Sequence, residues 1–141
     1  MPGIRRVLRF QACYYLATGA APFVSRRAFE AVTGPKIDWW LVQMVGLLAI
    51  TSGAAITSGL RSRRVSPETL TLAVLSAVSF AAIDTVHSVR GRISKVYLCD
   101  AALELLLLAG IAAECCERRR SERTEDDDER ATQRDGERGL L

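Results

Sequence analysis

The sequence lacks the motifs on which metal-dependent and nucleotide-dependent enzymes rely. It contains a single histidine and four cysteines, and the cysteines do not show CxxC or a similar metal-ligand spacing. A glycine-rich phosphate-binding loop and a Ser-His-Asp set are also missing. These absences disfavour hydrolases, zinc enzymes and nucleotide-driven enzymes, and no cofactor is expected.

Basic residues are present, but they are not arranged for binding nucleic acid. The chain has 19 lysines and arginines against 16 acidic residues, which gives a formal net charge of +3. The arginines form short clusters between apolar runs, whereas a nucleic-acid-binding face concentrates them on one surface with interleaved aromatic side chains. We therefore predict no nucleic-acid partner.

The composition changes abruptly near residue 116. Residues 1–116 are rich in Ala, Leu, Val, Ile and Gly, whereas residues 117–141 (ERRRSERTEDDDERATQRDGERGLL) hold almost no apolar side chains before the final two leucines. A segment of that composition cannot bury enough surface to offset its ordering entropy. The sequence therefore predicts a transmembrane domain over 1–116 and a disordered, charged cytoplasmic tail over 117–141.

Four apolar segments predict an all-α fold, namely a four-helix transmembrane bundle. The clearest segment, 38–60, has no charge after its first residue and is long enough to cross the ~30 Å hydrocarbon layer at ~1.5 Å per residue. Ser66 is a suitable N-cap and Pro67 a suitable first residue for another helix. The predicted helices are 7–24, 38–60, 67–89 and 95–114. The first predicted helix contains Arg9. The alternative to a transmembrane span for this segment is an amphipathic helix that lies in the headgroup plane.

The positive-inside rule gives these spans an orientation. On one side of the bundle lie Arg5, Arg6, Arg9, Arg61, Arg63, Arg64, Arg118, Arg119, Arg120 and Arg123. The other side has Arg26, Arg27, Lys36, Arg90, Arg92 and Lys95. The first group is larger, which favours a multi-pass protein of the cell membrane with both termini in the cytoplasm. Trp39 and Trp40 then lie where an outer aromatic belt is expected.

Acidic residues interrupt the last two apolar segments, and they fall on defined helix faces. Asp84 and His87 are three residues apart, so they share one face of the third helix. Asp100 and Glu104 are four apart and share a face of the fourth, with Asp84 and Asp100 at similar depth. Each acidic group in a membrane costs roughly 2.5–3.5 kcal/mol, so these groups should face the interior and pair or hold a proton. His87 or Arg90 is the expected cationic partner.

The first two helices add polar groups at a comparable depth. Gln11, Tyr15 and Thr18 follow an i, i+4, i+7 stripe along the first helix. Gln43 lies near the outer end of the second helix. These groups would complete an outward-facing polar pocket, and the alternative is that each bonds a backbone carbonyl or a neighbouring side chain.

A metal centre is a weaker alternative for the acidic cluster. Asp84 and His87 have the i, i+3 acid–histidine spacing of di-iron helical bundles. Asp100 and Glu104 would be further oxygen ligands. A second acid–histidine motif is missing from the chain, and only dimerisation would supply one. No metal ion is therefore predicted.

Small residues form a stripe along the second predicted helix. Gly46, Ala49, Gly53 and Thr57 recur at helical spacing, and residues of this size let another helix approach closely. We therefore predict an internal packing interface on this face.

The segment between the first two predicted helices, together with its flanking residues, resembles the sequence signature of a known protein family. Its distinctive parts are TGxxP at Thr18–Pro22 and FExVTGPKxDWWLV at Phe29–Val42. The stretch 14–48, about a quarter of the chain, resembles the signature of small four-span integral membrane proteins of bacteria and archaea that lack an assigned activity. These proteins are at most distantly similar to the DoxX-like group of four-helix membrane proteins. The resemblance supplies no catalytic residues, but Lys36 and Asp38 would belong to a loop that closes over the polar cluster as a lid.

Three classes of function are compatible with these features. The first is a module that binds or transports a small molecule or proton, with the acidic cluster lining its site. The second is a membrane-embedded enzyme that performs acid–base chemistry on a lipophilic substrate. The third is an accessory subunit whose polar core only fixes the bundle. A non-enzymatic module is favoured, with membrane lipids as partners and a homo-oligomer or a larger membrane complex as the possible assembly.

Overall fold

The computed structural model describes the backbone of residues 2–138 and the side chains of 3–121, 123, 124 and 130. The helices are α1 (Pro2–Val24), α2 (Arg26–Thr33), α3 (Trp39–Gly59), α4 (Pro67–Val89) and α5 (Tyr97–Arg138). Over the described part of the chain there are five helices and no strands, which confirms the predicted all-α class. The chain divides into two units, Met1–Ile111 and Ala112–Leu141.

The helix boundaries follow the capping residues in the sequence. The Ser66 hydroxyl accepts a hydrogen bond from the Thr69 amide at 3.3 Å, and Pro67 is the first residue of α4. This is the predicted start, because proline lacks the amide hydrogen that the first helical turn leaves unpaired. Asp38 precedes α3, but its side chain makes no capping hydrogen bond.

A short helix, α2, lies in a segment that was predicted to be loop. The Ser25 hydroxyl caps it by accepting from the Ala28 amide at 3.3 Å. Gly34 ends it with φ of 83°, a conformation that glycine adopts without steric cost. A helix of eight residues therefore precedes the loop that contains Lys36 and Asp38.

Glycines bring the backbones of α1 and α3 together. A Cβ atom on Gly46 would lie 2.7 Å from the Gly19 carbonyl oxygen, and one on Gly53 would lie 2.9 Å from that of Ala12. Gly46, Ala49 and Gly53 are buried, so the predicted small-residue interface is confirmed for these positions. Thr57 lies outside the interface, since it is exposed and donates to the Gly53 carbonyl at 2.8 Å.

The start of α1 lies beside the end of α3. Arg5 donates hydrogen bonds to the carbonyl oxygens of Ser62 at 2.8 Å and Arg63 at 3.3 Å, and also to that of Leu60. These carbonyls follow the last turn of α3, where a cation is favourable. Helices α1 and α3 therefore run antiparallel.

Two of the described helices are long and apolar enough to cross a membrane. These are α3, with 21 residues, and α4, with 23 residues. Only 22% of the apolar stretch of α3 and 28% of that of α4 is buried within the protein. The other two predicted spans carry charged side chains: Arg9 in 7–24, and Lys95, Asp100, Glu104 and Glu114 in 95–114.

The unit Ala112–Leu141 contains the last part of α5, which ends at Arg138. The structure therefore shows helical backbone over 117–138, where the sequence predicted a disordered tail. Residues 139–141 lie outside the described residues, as do most side chains beyond residue 124. The disorder of the charged tail stays a prediction.

Candidate functional site

A cavity of about 310 Å³ lies among the later half of α1, α2, the first half of α3, the end of α4 and the start of α5. Most of its wall is apolar. Its polar lining residues are Tyr14, Tyr15, Thr18, Asp84, Tyr97, Asp100 and Glu104. Among the described residues that line this cavity there is no lysine, arginine or histidine. The structure thus collects Asp84 of α4 and Asp100 and Glu104 of α5 around one space, as their helix positions predict.

Glu104 is the most deeply buried of these acids and has a hydroxyl partner. It is 1% exposed and accepts a hydrogen bond from the Tyr15 hydroxyl at 3.0 Å. The Gln11 amide donates to that hydroxyl at 3.1 Å and to the Ala73 carbonyl at 2.8 Å. This chain of hydrogen bonds joins α1 to α4 and α5. The Phe80 ring also packs edge-on against Tyr15, with centroids 5.4 Å apart.

Asp100 is held by a residue that the sequence reasoning missed. The Tyr14 hydroxyl donates a hydrogen bond to Asp100 Oδ1. The signal was present, because Gln11, Tyr14, Tyr15 and Thr18 form a complete i, i+3, i+4, i+7 stripe. The Thr18 hydroxyl donates to the Tyr14 backbone carbonyl at 2.8 Å. Bonding to a backbone carbonyl was the alternative to a pocket role for these polar groups.

Asp84 differs from the other two acids because no hydrogen bond to it is formed by the described residues. Its side chain is 7% exposed, and its Oδ2 is buried without a hydrogen bond from any described residue. The Gln11 Oε1 atom is the other such buried oxygen in the described part of the chain. A buried polar group without a partner loses its hydration without compensation. Asp84 is therefore the group in the cavity with unused capacity to bind.

The remaining residues predicted for the site lie away from the cavity. His87 is half-buried on α4, Arg90 is exposed at its end, and Gln43 is half-buried on α3. None of them lines the space. Among the described residues Arg26 forms an ion pair with Glu30 at 3.2 Å, but Asp84 forms none with His87 or Arg90, so the expected pairing is not formed.

The arrangement does not match the metal alternative. Within the described residues, no group of three or more His, Cys, Asp and Glu side chains is placed to hold a metal ion. His87 does not join Asp84, Asp100 and Glu104 around the cavity. Asp84 and His87 therefore have the sequence spacing of a di-iron motif, but they do not converge with other ligands on one metal position.

Helix α2 contributes to the cavity wall, but neither Lys36 nor Asp38 of the loop after it lines the space. Phe29 lines the space and packs edge-on against Trp39, with ring centroids 5.8 Å apart. The Lys36 ammonium donates to the Thr33 carbonyl at 2.8 Å and lies 5.1 Å from the Tyr97 ring centroid. Burial lowers the pKa of Lys36, and Glu30 acts in the opposite direction. Asp38 is exposed and does not line the cavity.

The fold and the site define a helical protein with two membrane-compatible helices and an apolar cavity that contains carboxyl groups. Comparison of the chain with protein-family models, curated proteins and solved structures finds no match. The chemistry available at the cavity is proton uptake by a carboxyl group, pairing with a cation, and apolar contact.

Proposed function

We propose that this chain is a small multi-pass membrane protein whose cavity binds or transports a small molecule or proton. The observation that carries this proposal is Asp84, a buried carboxyl group without a partner on the wall of an otherwise mainly apolar cavity. Intramembrane acidic groups are costly, and in proteins they line ligand or proton pathways. Asp84 is the binding group in this proposal, and Asp100 and Glu104 shape the site around it.

Exposed apolar side chains support the membrane location. Large hydrophobic residues with more than half of their surface exposed include Phe10 on α1, Leu47 and Leu48 on α3, Leu75 and Ile83 on α4, and Leu105 and Leu106 on α5. In water, an apolar surface of this extent favours association. In a bilayer it contacts lipid tails, so we propose that α1 and the first part of α5 span the membrane beside α3 and α4.

The direction of the helices supports the proposed topology. Arg5 holds the loop after α3, so the N-terminus and that arginine-rich loop share one end of the bundle. We place this end in the cytoplasm by the positive-inside rule. The cavity then opens on the outer side, where Trp40 is 62% exposed at the level of an aromatic belt. The number of spans in this proposal is the one implied by the resemblance to small four-span membrane proteins.

An accessory subunit with a structural polar core is the second candidate. The contacts Tyr14–Asp100, Tyr15–Glu104 and Gln11–Ala73 tie α1 to its neighbours, as polar side chains do between membrane helices. This role accounts for Asp100 and Glu104. It does not account for Asp84, which forms no such contact.

A hydrophobic carboxyl reagent tests the proposal directly. Dicyclohexylcarbodiimide enters apolar sites and modifies protonated carboxyl groups. We expect mass spectrometry of the membrane-embedded protein to show modification of Asp84, faster at lower pH, and none in Asp84→Asn. Asp38 is the exposed control and should react with a water-soluble carbodiimide instead. Failure to modify Asp84 at any pH, with Asp38 reactive, would favour the accessory-subunit role.

A further inference from the structure

We infer that the cavity selects an amphipathic organic monocation, namely an amine or quaternary ammonium group on a small apolar body, with its charge beside Asp84. This inference rests on the proposed function of the cavity as a small-molecule site. It adds the charge, the polarity and the size of the ligand.

The charge follows from the side chains around the cavity. Of the described residues that line it, three carry carboxyl groups and none carries a basic group. Asp84 is 7% exposed, and its Oδ2 lacks a hydrogen-bond donor. A buried carboxylate requires a cationic or donor partner to offset its lost hydration. A ligand that enters this space is therefore favoured if it brings the positive charge that the protein does not provide.

The number of charges follows from the hydrogen bonds of the other two acids. Asp100 accepts from the Tyr14 hydroxyl and Glu104 accepts from the Tyr15 hydroxyl. Each tyrosine hydroxyl therefore already provides a hydrogen-bond donor to one of these two carboxyl groups. Asp84 alone lacks such a donor, so the cavity has one binding position for a cationic group.

The apolar part of the ligand follows from the rest of the wall. The rings of Phe29, Phe80 and Tyr97 line the space with aliphatic side chains, and aromatic faces attract cations that have few bound water molecules. A volume of about 310 Å³ lies at the small end of the ~300–1,000 Å³ range of ligand pockets. A metal ion fits poorly, because within the described residues no group of three or more His, Cys, Asp and Glu side chains is placed to hold one.

The ionisable groups near Asp84 decide what competes with the ligand. Glu104 and Tyr97 on α5 are close enough to interact electrostatically with Asp84. Lys36 contacts the Tyr97 ring, but its ammonium group donates to the Thr33 carbonyl. His87 on α4 does not line the cavity. The main competitor for the cation is therefore a proton on Asp84 itself, so acidification should weaken cation binding.

A pair of isosteric probes tests this inference. Benzyltrimethylammonium carries the charge, and neopentylbenzene replaces its nitrogen by carbon without changing the shape. Binding of each probe is measured by equilibrium dialysis on the full chain in phosphatidylcholine nanodiscs, after subtraction of binding to empty discs. Asp84→Asn removes the charge of the site, Asp84→Glu keeps it, and Asp38→Asn makes the same chemical change at an exposed position. Melting temperatures confirm that each variant is folded.

We expect the wild type to bind the cation about tenfold or more tightly than the neutral probe, and Asp84→Asn to remove that preference. Asp84→Glu and Asp38→Asn should keep it. Equal binding of the two probes by the wild type would overturn the cation selectivity while leaving a small-molecule cavity in place. An unchanged preference in folded Asp84→Asn would overturn the role of Asp84. Binding of neither probe would overturn this inference, whereas the proposed function is overturned only if carbodiimide also fails to modify Asp84.

Discussion

The three acidic side chains at the cavity have different surroundings, and this difference separates structural from binding roles. Tyr15 and Tyr14 donate to Glu104 and Asp100, respectively, and link α1 to α5. Asp84 has no described partner. The sequence predicted a cationic partner, His87 or Arg90, for the acidic cluster that contains Glu104. The partner of Glu104 is instead a tyrosine hydroxyl, which satisfies a carboxyl group without a cation.

Replacement of the unpartnered acid by leucine should increase stability. A buried polar group without a hydrogen bond costs about 1–3 kcal/mol, and leucine at position 84 removes that cost with the same branching and number of heavy atoms. Asp100→Leu should instead lower stability by about 0.5–1.5 kcal/mol, because it removes the hydrogen bond from Tyr14. Unfolding free energies from denaturing-detergent titration measure both changes. A loss of stability in Asp84→Leu would show that Asp84 has a partner within the protein.

Removal of the tyrosine hydroxyls should reveal which acid depends more on its donor. Tyr15→Phe leaves the 1%-exposed Glu104 without a donor and should lower the unfolding free energy by about 1–3 kcal/mol. Tyr14→Phe should cost less, about 0.5–1.5 kcal/mol, since Tyr14 and Asp100 are only half-buried. The same detergent titration measures both variants. Equal losses, or a larger loss in Tyr14→Phe, would contradict this ranking.

At the scale of helices, close backbone contact between α1 and α3 fixes one wall of the cavity. Gly19 and Gly46 both line the space and meet each other through backbone atoms. Interfaces of small residues are typical of membrane helices, because they allow close van der Waals packing where lipid provides little hydrophobic driving force. The shape of the cavity therefore depends on the absence of side chains at these positions.

A methyl group at this contact should be poorly tolerated. The Cβ atom in Gly46→Ala would lie 2.7 Å from the backbone oxygen of Gly19, so the helices must separate, at a cost of about 1–3 kcal/mol. Gly110→Ala is the control, since the nearest atom to its Cβ is Val7 Cγ2 at 3.4 Å. It should leave stability unchanged or raise it by up to ~1 kcal/mol through helix propensity. Thermal unfolding in detergent compares the two, and similar melting temperatures would argue against the close contact.

The sequence predicted those elements whose ends carry a clear capping signal or whose apolar run is uninterrupted. The bounds of α4 match the prediction, because Ser66 and Pro67 specify its start. The short helix α2 was missed, although Ser25 and Gly34 mark its ends, because eight residues without a buried side chain give little apolar periodicity. Side-chain partners such as Tyr14 for Asp100 depend on the rotation of packed helices, which spacing along one helix does not determine.

At the scale of the molecule, the proposed topology places the cavity on the outer side and the loop after α3 on the cytoplasmic side. The two loops are both accessible to reagents: Ile37 is 99% exposed, and Ser62 is exposed. They lie at opposite ends of α3, whose 21 residues span ~30 Å at ~1.5 Å per residue. A reagent that cannot cross the membrane should therefore distinguish them.

Single cysteines at these positions test the topology. In a variant with the four native cysteines replaced by serine, Ile37→Cys should react with a membrane-impermeant thiol reagent in intact cells. Ser62→Cys should react only after permeabilisation. Reversed labelling would place the cavity on the cytoplasmic side, and labelling of both positions in intact cells would contradict the spanning of α3.

The central claim, that Asp84 is a binding group in a small-molecule or proton site, is tested most directly by an experimental structure in lipid at neutral pH. We predict an open cavity with density for a bound molecule or an ordered water within hydrogen-bond distance of Asp84 Oδ2, and Asp100 and Glu104 still held by Tyr14 and Tyr15. A closed cavity, in which Asp84 accepts hydrogen bonds only from protein groups, would contradict the claim.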